Sequence, residues 1–203
     1  MARIIVYYAH PGQTFSRANR AMAERARQLD GITFVDLYAE YPRHDIDVAA
    51  EQARLLDHDV IVLQFPLYWY STPSILKEWQ DLVLQHGFAY GHGGDKLAGK
   101  TLLLAATTGG SPDAYTKNGY QMHPLRVFLT PLEQTAGLCG MTFATPYVLY
   151  GALKADEQTD LAHHVSAYAE LLTQVRDGAR DLPQAGEQDV ITADTILGQR
   201  EDH

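Results

Sequence analysis

The chain has little of what several classes of protein require. It contains a single cysteine, Cys139, which excludes an intramolecular disulfide and favours a reducing compartment. Basic residues are also few: 16 Lys and Arg stand against 25 Asp and Glu, and a net charge of −9 disfavours nucleic acid as a partner. The apolar run at 4–9 is too short for a signal-peptide core or a membrane span. We therefore expect a cytoplasmic protein.

Two nucleotide-binding fingerprints are missing from the first polar turn, at 10–19. It holds one glycine, Gly12, so it is not the glycine-rich dinucleotide motif, and it lacks the Gly-Lys-Ser/Thr of a P-loop. The 203 residues, 46% of them hydrophobic, are enough for one domain with a sizeable core. We predict that domain at 1–178 and a polar tail at 179–203. Four apolar residues of the tail could pack against the domain: Val190, Ile191, Ile196 and Leu197.

Short apolar runs alternate with helical patterns along the chain. This alternation predicts an α/β fold, a parallel sheet with helices on both faces. Five strands with this spacing suit the three-layer, flavodoxin-like order 2-1-3-4-5. The predicted strands are Ile4–Tyr8, Ile32–Val35, Val60–Phe65, Thr101–Ala106 and Thr142–Leu149, the last interrupted by Pro146. The predicted helices are Arg17–Leu29, Val48–Leu56, Ile75–Gln85, His123–Thr135 and Asp156–Val175.

In this order, three loops with suggestive chemistry follow strand ends at one edge of the sheet. The first leads into a helix N-terminus that favours an anion, with His10, Ser16 and Asn19 as further donors. The second is aromatic, Leu67-Tyr-Trp-Tyr70 after Pro66, and the third holds a glycine pair, Thr107-Thr-Gly-Gly110. A phosphate site, an aromatic wall and a backbone clamp together describe a flavin site.

Each loop also has a simpler interpretation. Ser16 could serve only as a helix cap, the aromatic residues could only plug the end of the sheet, and the Gly-Gly pair could be an ordinary tight turn. Cys139, in an apolar segment, is expected to be a buried and inert thiol.

Several stretches of these loops and their flanks resemble the flavodoxin-like NAD(P)H:quinone reductases of the DT-diaphorase type. The segment Glu133–Met141 and the short chain are most similar to the glutathione-regulated potassium-efflux ancillary branch of that family. The resemblance covers about 4–178. The matching motifs are Gln64-Phe-Pro-Leu-Tyr-Trp-Tyr70, Pro73-Ser-Ile-Leu-Lys-Glu-Trp79, Phe88-Ala-Tyr90 and Thr107-Thr-Gly-Gly110.

The resemblance implies roles for individual residues. Tyr115 would lie beside the reacting ring and His123 would be its partner in hydride transfer, while Tyr90 and His92 would bind substrate in the partner subunit's site. His92 departs from the tyrosine that is usual there. The residues placed at the flavin are His10, Ser16, Arg17, Ala18, Asn19, Pro66, Leu67, Tyr68, Trp69, Tyr70, Thr107, Thr108, Gly109, Gly110 and Tyr115.

The resemblance also implies an activity and its partners. The expected reaction is a ping-pong, two-electron hydride transfer from NAD(P)H through flavin N5 to a quinone, in a homodimer. The segment 38–59 is short where DT-diaphorases carry an insertion that contacts FAD, so FMN is the expected cofactor and FAD the alternative. The alternative function is that of a regulatory ancillary subunit of a glutathione-gated potassium/proton antiporter, peripheral at the inner membrane.

Overall fold

The protein is described from a computed structural model that covers residues 1–12, 16–155, 161–182, 184–186 and 189–198. Its strands run parallel in the order β2-β1-β3-β4-β5, and a short β6 pairs with β4 further along. The predicted order 2-1-3-4-5 is confirmed. The strands are β1 Ile4–Tyr8, β2 Ile32–Asp36, β3 Val60–Pro66, β4 Thr101–Thr107, β5 Thr142–Phe143 and β6 Tyr147–Leu149.

Helices cover both faces of the sheet. The two faces of β1 show why: Ile5 and Tyr7 enter one core cluster, whereas Ile4 and Val6 enter the other. Successive side chains of a strand point to opposite faces, so a strand buried throughout needs a helical layer on each side. The helices are α1 Ala18–Arg27, α2 Leu37–Glu40, α3 Val48–Leu56, α4 Ser74–Val83, α5 Leu125–Leu138, α6 Leu161–Asp177 and α7 Ala193–Leu197.

Proline sets two boundaries in the second half of the chain. Pro146 divides the predicted fifth strand into β5 and β6, both of which pair with β4. Pro124 is the N-cap of α5, so His123 lies in the preceding loop rather than at the first position of the predicted helix. The residue before a proline is disfavoured in the α conformation, which explains the later start. In the helix predicted at Asp156–Val175, residues 156–160 lie outside the described part.

The C-terminal segment that the structure describes packs along the sheet edge. The backbone of Ile191 donates to the Pro146 carbonyl at 2.7 Å and accepts from the Val148 N–H at 2.8 Å. Ile191 is buried, Val190 and Ile196 are partly buried, and Leu197 is exposed. The segment therefore covers β6, as the four apolar residues allowed.

The single cysteine and the length of the helices are also subjects of the sequence predictions. Cys139 is buried, as predicted, and burial raises the pKa of its thiol. Among the residues searched, no helix combines the length and apolar character that crossing a bilayer requires.

Candidate active site

A cleft of about 460 Å³ opens at the carboxyl edge of the sheet. The three loops predicted to converge lie around it, because β1, β3 and β4 are parallel neighbours and end together. Of the residues predicted to hold a flavin, all but Tyr70, Gly110 and Tyr115 line it. The lining residues are His10, Ser16, Arg17, Ala18, Asn19, Pro66, Leu67, Tyr68, Trp69, Thr107, Thr108, Gly109, Ala152 and Leu153.

The N-terminus of α1 forms one wall of the cleft. The N-cap residue of α1 is Arg17, and the hydroxyl of Ser16, one residue earlier, accepts the backbone N–H of Arg20 in the first turn at 3.3 Å. Ala18 and Asn19, the first residues of the helix, also line the cleft. Amides in the first turn of a helix have no partner within the helix, and the dipole there is positive. This wall therefore suits an anion, and the Ser16–Arg20 hydrogen bond is compatible with that.

A buried hydrogen-bond network fixes α1 to the sheet below the cleft. The side-chain amide of Asn19 donates to Thr107 Oγ1 at 2.6 Å, and Gln64 donates to the Asn19 carbonyl at 2.8 Å. The predicted donor to an anion is thus engaged with the third loop instead. Asn19 Oδ1 is buried and has no partner among the described residues. A buried acceptor in that state costs about 1–3 kcal/mol, which a donor on a ligand would relieve.

His10 closes the inner side of the cleft as a neutral imidazole. Burial lowers its pKa. Its Nδ1 accepts the backbone N–H of Gly12 at 3.2 Å, and its Nε2 lies 3.3 Å from the hydroxyl of Tyr68. With Nδ1 as acceptor, the proton belongs on Nε2. His10 therefore presents an imidazole N–H on the side of Tyr68, and its role as a donor to an anion stays a prediction.

The aromatic loop is a strained two-residue turn. Tyr68 and Ser71 exchange two backbone hydrogen bonds of 3.0 Å, with Trp69 and Tyr70 between them at φ of 48° and 64°. Both bulky residues occupy the left-handed region, where glycine or asparagine is usual. Trp69 is also 94% exposed. Backbone strain and an exposed indole at the same position are typical of a ligand site rather than of a plug for the sheet.

The glycine pair lies against the loop that follows β6. Gly151 donates to the Gly110 carbonyl at 2.9 Å, and Ala152 donates to the Thr108 carbonyl at 2.8 Å. A Cβ added at Gly110 would lie 3.1 Å from Cε2 of Tyr115. Glycine therefore lets the backbone approach the tyrosine ring closely, and the hydrogen bonds make the turn rigid.

An aromatic cluster stands beside the cleft around Phe128. Its ring stacks on that of Tyr70 with 5.1 Å between the ring centroids. It makes T-shaped contacts with Tyr115 and His123, with centroid distances of 5.9 and 6.1 Å. Tyr115 also contacts Tyr150 at 5.8 Å. Tyr115 is 8% exposed, and burial raises the pKa of its hydroxyl. The structure thus brings the two predicted catalytic residues to one ring, with His123 exposed and Tyr115 buried.

Tyr90 and His92 are not among the residues that line this cleft. Tyr90 is half-buried against His86, with ring centroids 5.7 Å apart, and His92 is exposed. Their predicted site is that of a partner subunit, so a single chain does not test the assignment.

Sequence reasoning missed four residues at or beside this site, one of which is Tyr150, the neighbour of Tyr115. Phe128 matches the helical spacing of buried Leu125, Leu129 and Leu132, so it reads as an ordinary core residue. Ala152 and Leu153 line the cleft, and Leu153 is exposed. The signal for these two was available, because they follow the carboxyl end of another parallel strand.

Two curated relatives are similar over most of this chain. The glutathione-regulated potassium-efflux system ancillary protein KefG of Cronobacter sakazakii is 47% identical over 167 residues, which is 82% of this chain and 90% of the relative. General stress protein 14 of Bacillus subtilis is 44% identical over 172 residues, 85% of this chain and 98% of the relative.

Solved structures repeat the fold. A chain described as a thermophilic tryptophan halogenase from Streptomycin violaceusniger has a TM-score of 0.80 and 41% identity, covering 83% of this chain and 98% of that one. General stress protein 14 of Treponema denticola in complex with FMN has a TM-score of 0.76 and 34% identity, covering 84% of this chain and 99% of that one. An NADPH-quinone reductase from P. pentosaceus has a TM-score of 0.72 and 29% identity, covering 83% of this chain and 96% of that one.

The family profile Flavodoxin_2, described as a flavodoxin-like fold, matches residues 2–172. This span includes every strand of the sheet and all the residues that line the cleft. The chain belongs to the Flavodoxin_2 family of flavodoxin-like proteins.

Proposed function

We propose that this protein is a flavin-dependent NAD(P)H:quinone oxidoreductase that binds FMN in the 460 Å³ cleft. The observation that carries the proposal is the convergence of a helix N-terminus, a strained aromatic turn and a rigid glycine pair around one cavity. A flavin needs a phosphate site, an aromatic wall and backbone groups at the ring edge. A similar protein crystallised with FMN and a similar NADPH-quinone reductase support an oxidoreductase of this kind.

Each wall would hold one part of the cofactor. The phosphate belongs at the start of α1, beside Ser16 and Asn19, where the first-turn amides and the helix dipole favour an anion. The ring belongs between the Trp69–Tyr70 turn and the Thr107–Gly110 backbone. The strain at Trp69 and Tyr70 fits this placement, because an empty turn gains nothing from two left-handed aromatic residues.

When bound, the flavin would supply hydride transfer from a reduced nicotinamide to a quinone. The contribution of the chain is to orient the reactants and to hold protons. Burial raises the pKa of Tyr115, so its hydroxyl remains protonated at neutral pH and can donate to a substrate oxygen or to the ring edge. Ring contacts with Phe128 and Tyr150 hold the Tyr115 side chain in place. His123, exposed at the edge of Phe128, would balance the charge that develops during transfer.

The first experiment is an absorption spectrum of the purified protein, followed by release and identification of the flavin. We expect oxidised-flavin bands that bleach on addition of NADPH or NADH, and FMN as the released species. A protein that stays colourless and cannot be reconstituted with FMN or FAD would refute the proposal. Release of FAD would refute only the choice of cofactor.

The halogenase description of one similar structure does not lead to a second proposal. Its likeness to this chain is in sequence and fold. No described residue of the cleft points to halide chemistry rather than to hydride transfer.

We also propose a homodimer in which Tyr90 and His92 reach the partner's cleft. The outer face of α5 supports it. Val127 and Leu138 are exposed there, and between them the exposed positions Thr130, Pro131, Gln134 and Gly137 carry no charge. An uncharged face with exposed aliphatic residues is typical of a subunit interface. Sedimentation velocity of the wild type and of Leu138→Glu tests this, since the variant should dissociate to monomers.

A second candidate function is that of an ancillary subunit of a potassium-efflux system, at the cytoplasmic face of the membrane. The relative that is 47% identical carries that name. The test is potassium efflux from cells that express the transporter with a Tyr115→Phe chain that retains flavin. Efflux restored by this variant would favour a binding role, whereas efflux lost with turnover would favour a role that depends on the enzymatic reaction.

A further inference from the structure

A second cavity, of about 320 Å³, lies against Tyr115. It shares no lining residue with the cleft that is proposed for the flavin. Its volume is within the range of about 300–1,000 Å³ that is usual for small-molecule sites. Its lining combines two cations, two tyrosines, a threonine and three apolar residues: Lys117, Arg126, Tyr115, Tyr150, Thr116, Pro124, Leu125 and Val190.

Arg126 is the unusual member of this lining, because it is a 4% exposed cation. Its Nη2 donates to Glu133 at 2.8 Å, its Nε donates to the Gly186 carbonyl at 3.2 Å, and its guanidinium lies 4.9 Å above the ring of Phe143. The remaining nitrogen, Nη1, is buried and has no acceptor among the described residues. A buried charged donor without an acceptor is rare in folded proteins and calls for an unassigned partner.

The C-terminal segment builds one side of this cavity. The Gly186 carbonyl holds Arg126 in place, and Val190 contributes to the lining. Backbone hydrogen bonds hold the segment itself: Ala185 donates to Phe143 at 2.9 Å and Ile191 to Pro146 at 2.7 Å. The family match ends at residue 172, so this wall lies outside the part of the chain that matches the family. The cavity therefore combines seven lining residues from the part of the chain that matches the family with one, Val190, from outside it.

We propose that the cavity binds a small carboxylate with an apolar or aromatic body. The carboxylate would sit between Nη1 of Arg126 and the ammonium group of Lys117, since hydrogen bonds from charged donors to a carboxylate are strong. Glu133 neutralises part of Arg126, and Lys117 restores a net positive charge. The body of the ligand would contact Tyr115, Tyr150 and Val190. A free phosphate, which is strongly hydrated, would gain nothing from that apolar side.

The proposal stands independently of the flavin. It rests on residues that do not line the main cleft, and the ligand would touch the active site only through Tyr115. A bound carboxylate would therefore be felt at the residue proposed to direct hydride transfer.

The test is isothermal titration calorimetry of the purified full-length protein with benzoate as the probe and benzyl alcohol as its neutral counterpart. We expect one benzoate to bind per chain. Benzyl alcohol should bind at least roughly tenfold more weakly, since a charge-assisted pair is lost. Lys117→Gln should weaken benzoate binding about threefold or more, and Val190→Glu, which puts a carboxylate into the wall, should abolish it. Arg17→Gln, in the main cleft, is the matched control and should have no effect.

Several results would overturn the proposal. One is that benzoate shows no saturable binding, and another is that benzyl alcohol binds as tightly as benzoate. A third is that Arg17→Gln weakens benzoate binding whereas Lys117→Gln does not, which would place the probe in the main cleft. Inorganic phosphate that binds as tightly as benzoate, with the same response to Lys117→Gln, would overturn the ligand class. Lys117 is exposed and Val190 half-buried, so both variants should fold even if Arg126→Gln does not.

Discussion

At the scale of single residues, the Trp69–Tyr70 turn adopts a backbone conformation that costs stability. A non-glycine residue held in a sparsely populated backbone region costs on the order of 1–3 kcal/mol. An indole that is 94% exposed recovers little of this by burial in the free protein. The turn is nevertheless held by its two backbone hydrogen bonds and by the stacking of Tyr70 on Phe128. In the proposed function, a bound flavin would offset the rest of this strain.

We predict that Trp69→Gly stabilises the flavin-free protein and weakens flavin binding. Glycine adopts positive φ without strain but is more flexible in the unfolded chain, so the net gain should be about 0.5–1 kcal/mol, or roughly 1–4 °C in Tm. Thermal unfolding of the apoprotein and titration with FMN measure the two effects. Trp69→Ala is the control: it removes the ring but keeps the strain, so it should lose affinity with no gain in Tm.

His164 is a second residue in which folding opposes an ordinary chemical preference. It is buried on α6, with its ring 4.6 Å from that of Tyr147 and its Nδ1 3.0 Å from the Tyr147 hydroxyl. Burial, with a smaller contribution from His163, lowers its pKa to about 3. The unfolded chain takes up a proton near pH ~6.5 that the folded chain refuses, so stability falls as the pH falls below that value.

We predict that His164→Gln reduces the loss of stability between pH 6.5 and 5. The buried imidazole accounts for at most about 1.4 kcal/mol of unfolding free energy per pH unit in this window. Urea unfolding at several pH values gives the slope for each protein. His163→Gln is the control, because it changes the neighbouring histidine, whose side chain is more exposed. It should keep the part of the pH dependence of the unfolding free energy that comes from His164. An unchanged slope in His164→Gln would mean that His164 is protonated in the native state.

At the scale of elements, neighbouring structure decides what a motif means. Residues 94–101 read Gly-Asp-Lys-Leu-Ala-Gly-Lys-Thr, which fits the P-loop pattern. In the structure this segment leads into β4 instead of connecting a strand to a helix. Lys100 donates to the carbonyl of His58 at 2.6 Å and to that of Leu56 at 3.2 Å. Its ammonium group therefore ties two loops together and does not serve as a phosphate ligand.

The sequence was sufficient to predict the sheet order and the three loops, since both follow from hydrophobic runs and strand ends. It could not predict Phe128 as the centre of the aromatic cluster, because a core residue and a site residue have the same helical spacing. The positive φ at Trp69 and Tyr70 was equally hidden, since neither residue type favours it. The apolar residues of the tail indicated that it could pack, but its place depends on long-range backbone pairing of Gln184 and Ile191 with the chain around β5 and β6, which no local pattern indicates.

The C-terminal segment gives a prediction at this scale. Ile191 is 7% exposed, and its backbone pairs with Pro146 and Val148. Ile191→Ala should lower the unfolding free energy by about 2–4 kcal/mol through lost burial and a cavity at the sheet edge. Ile196→Ala, at a half-buried position of α7, is the matched control and should cost about 1 kcal/mol or less. Chemical denaturation measures both, and equal small effects would mean that the segment detaches in solution.

At the scale of the whole molecule, the chain separates its stable core from its chemistry. Helices cover both faces of the sheet, while the cleft, the strained turn and the exposed Trp69 all lie at one edge. Tyr90 and His92 do not line this cleft within one chain. If they serve catalysis, a second chain must bring them there, and the activity becomes a property of the dimer.

Mixing two inactive variants tests this arrangement. Tyr115→Phe removes the hydroxyl from one side of the proposed site, and Tyr90→Ala removes the ring from the other. A mixed dimer would contain one site that lacks both groups and one that has both, since each chain supplies what the other lacks. We predict that each variant alone has low NADPH:quinone turnover per bound flavin, and that unfolding and refolding them together restores a substantial fraction of it. If both residues served the same chain's site, every site in the mixture would stay defective and activity would remain the average of the two variants. Re-mixing Tyr115→Phe with itself controls for gains from refolding.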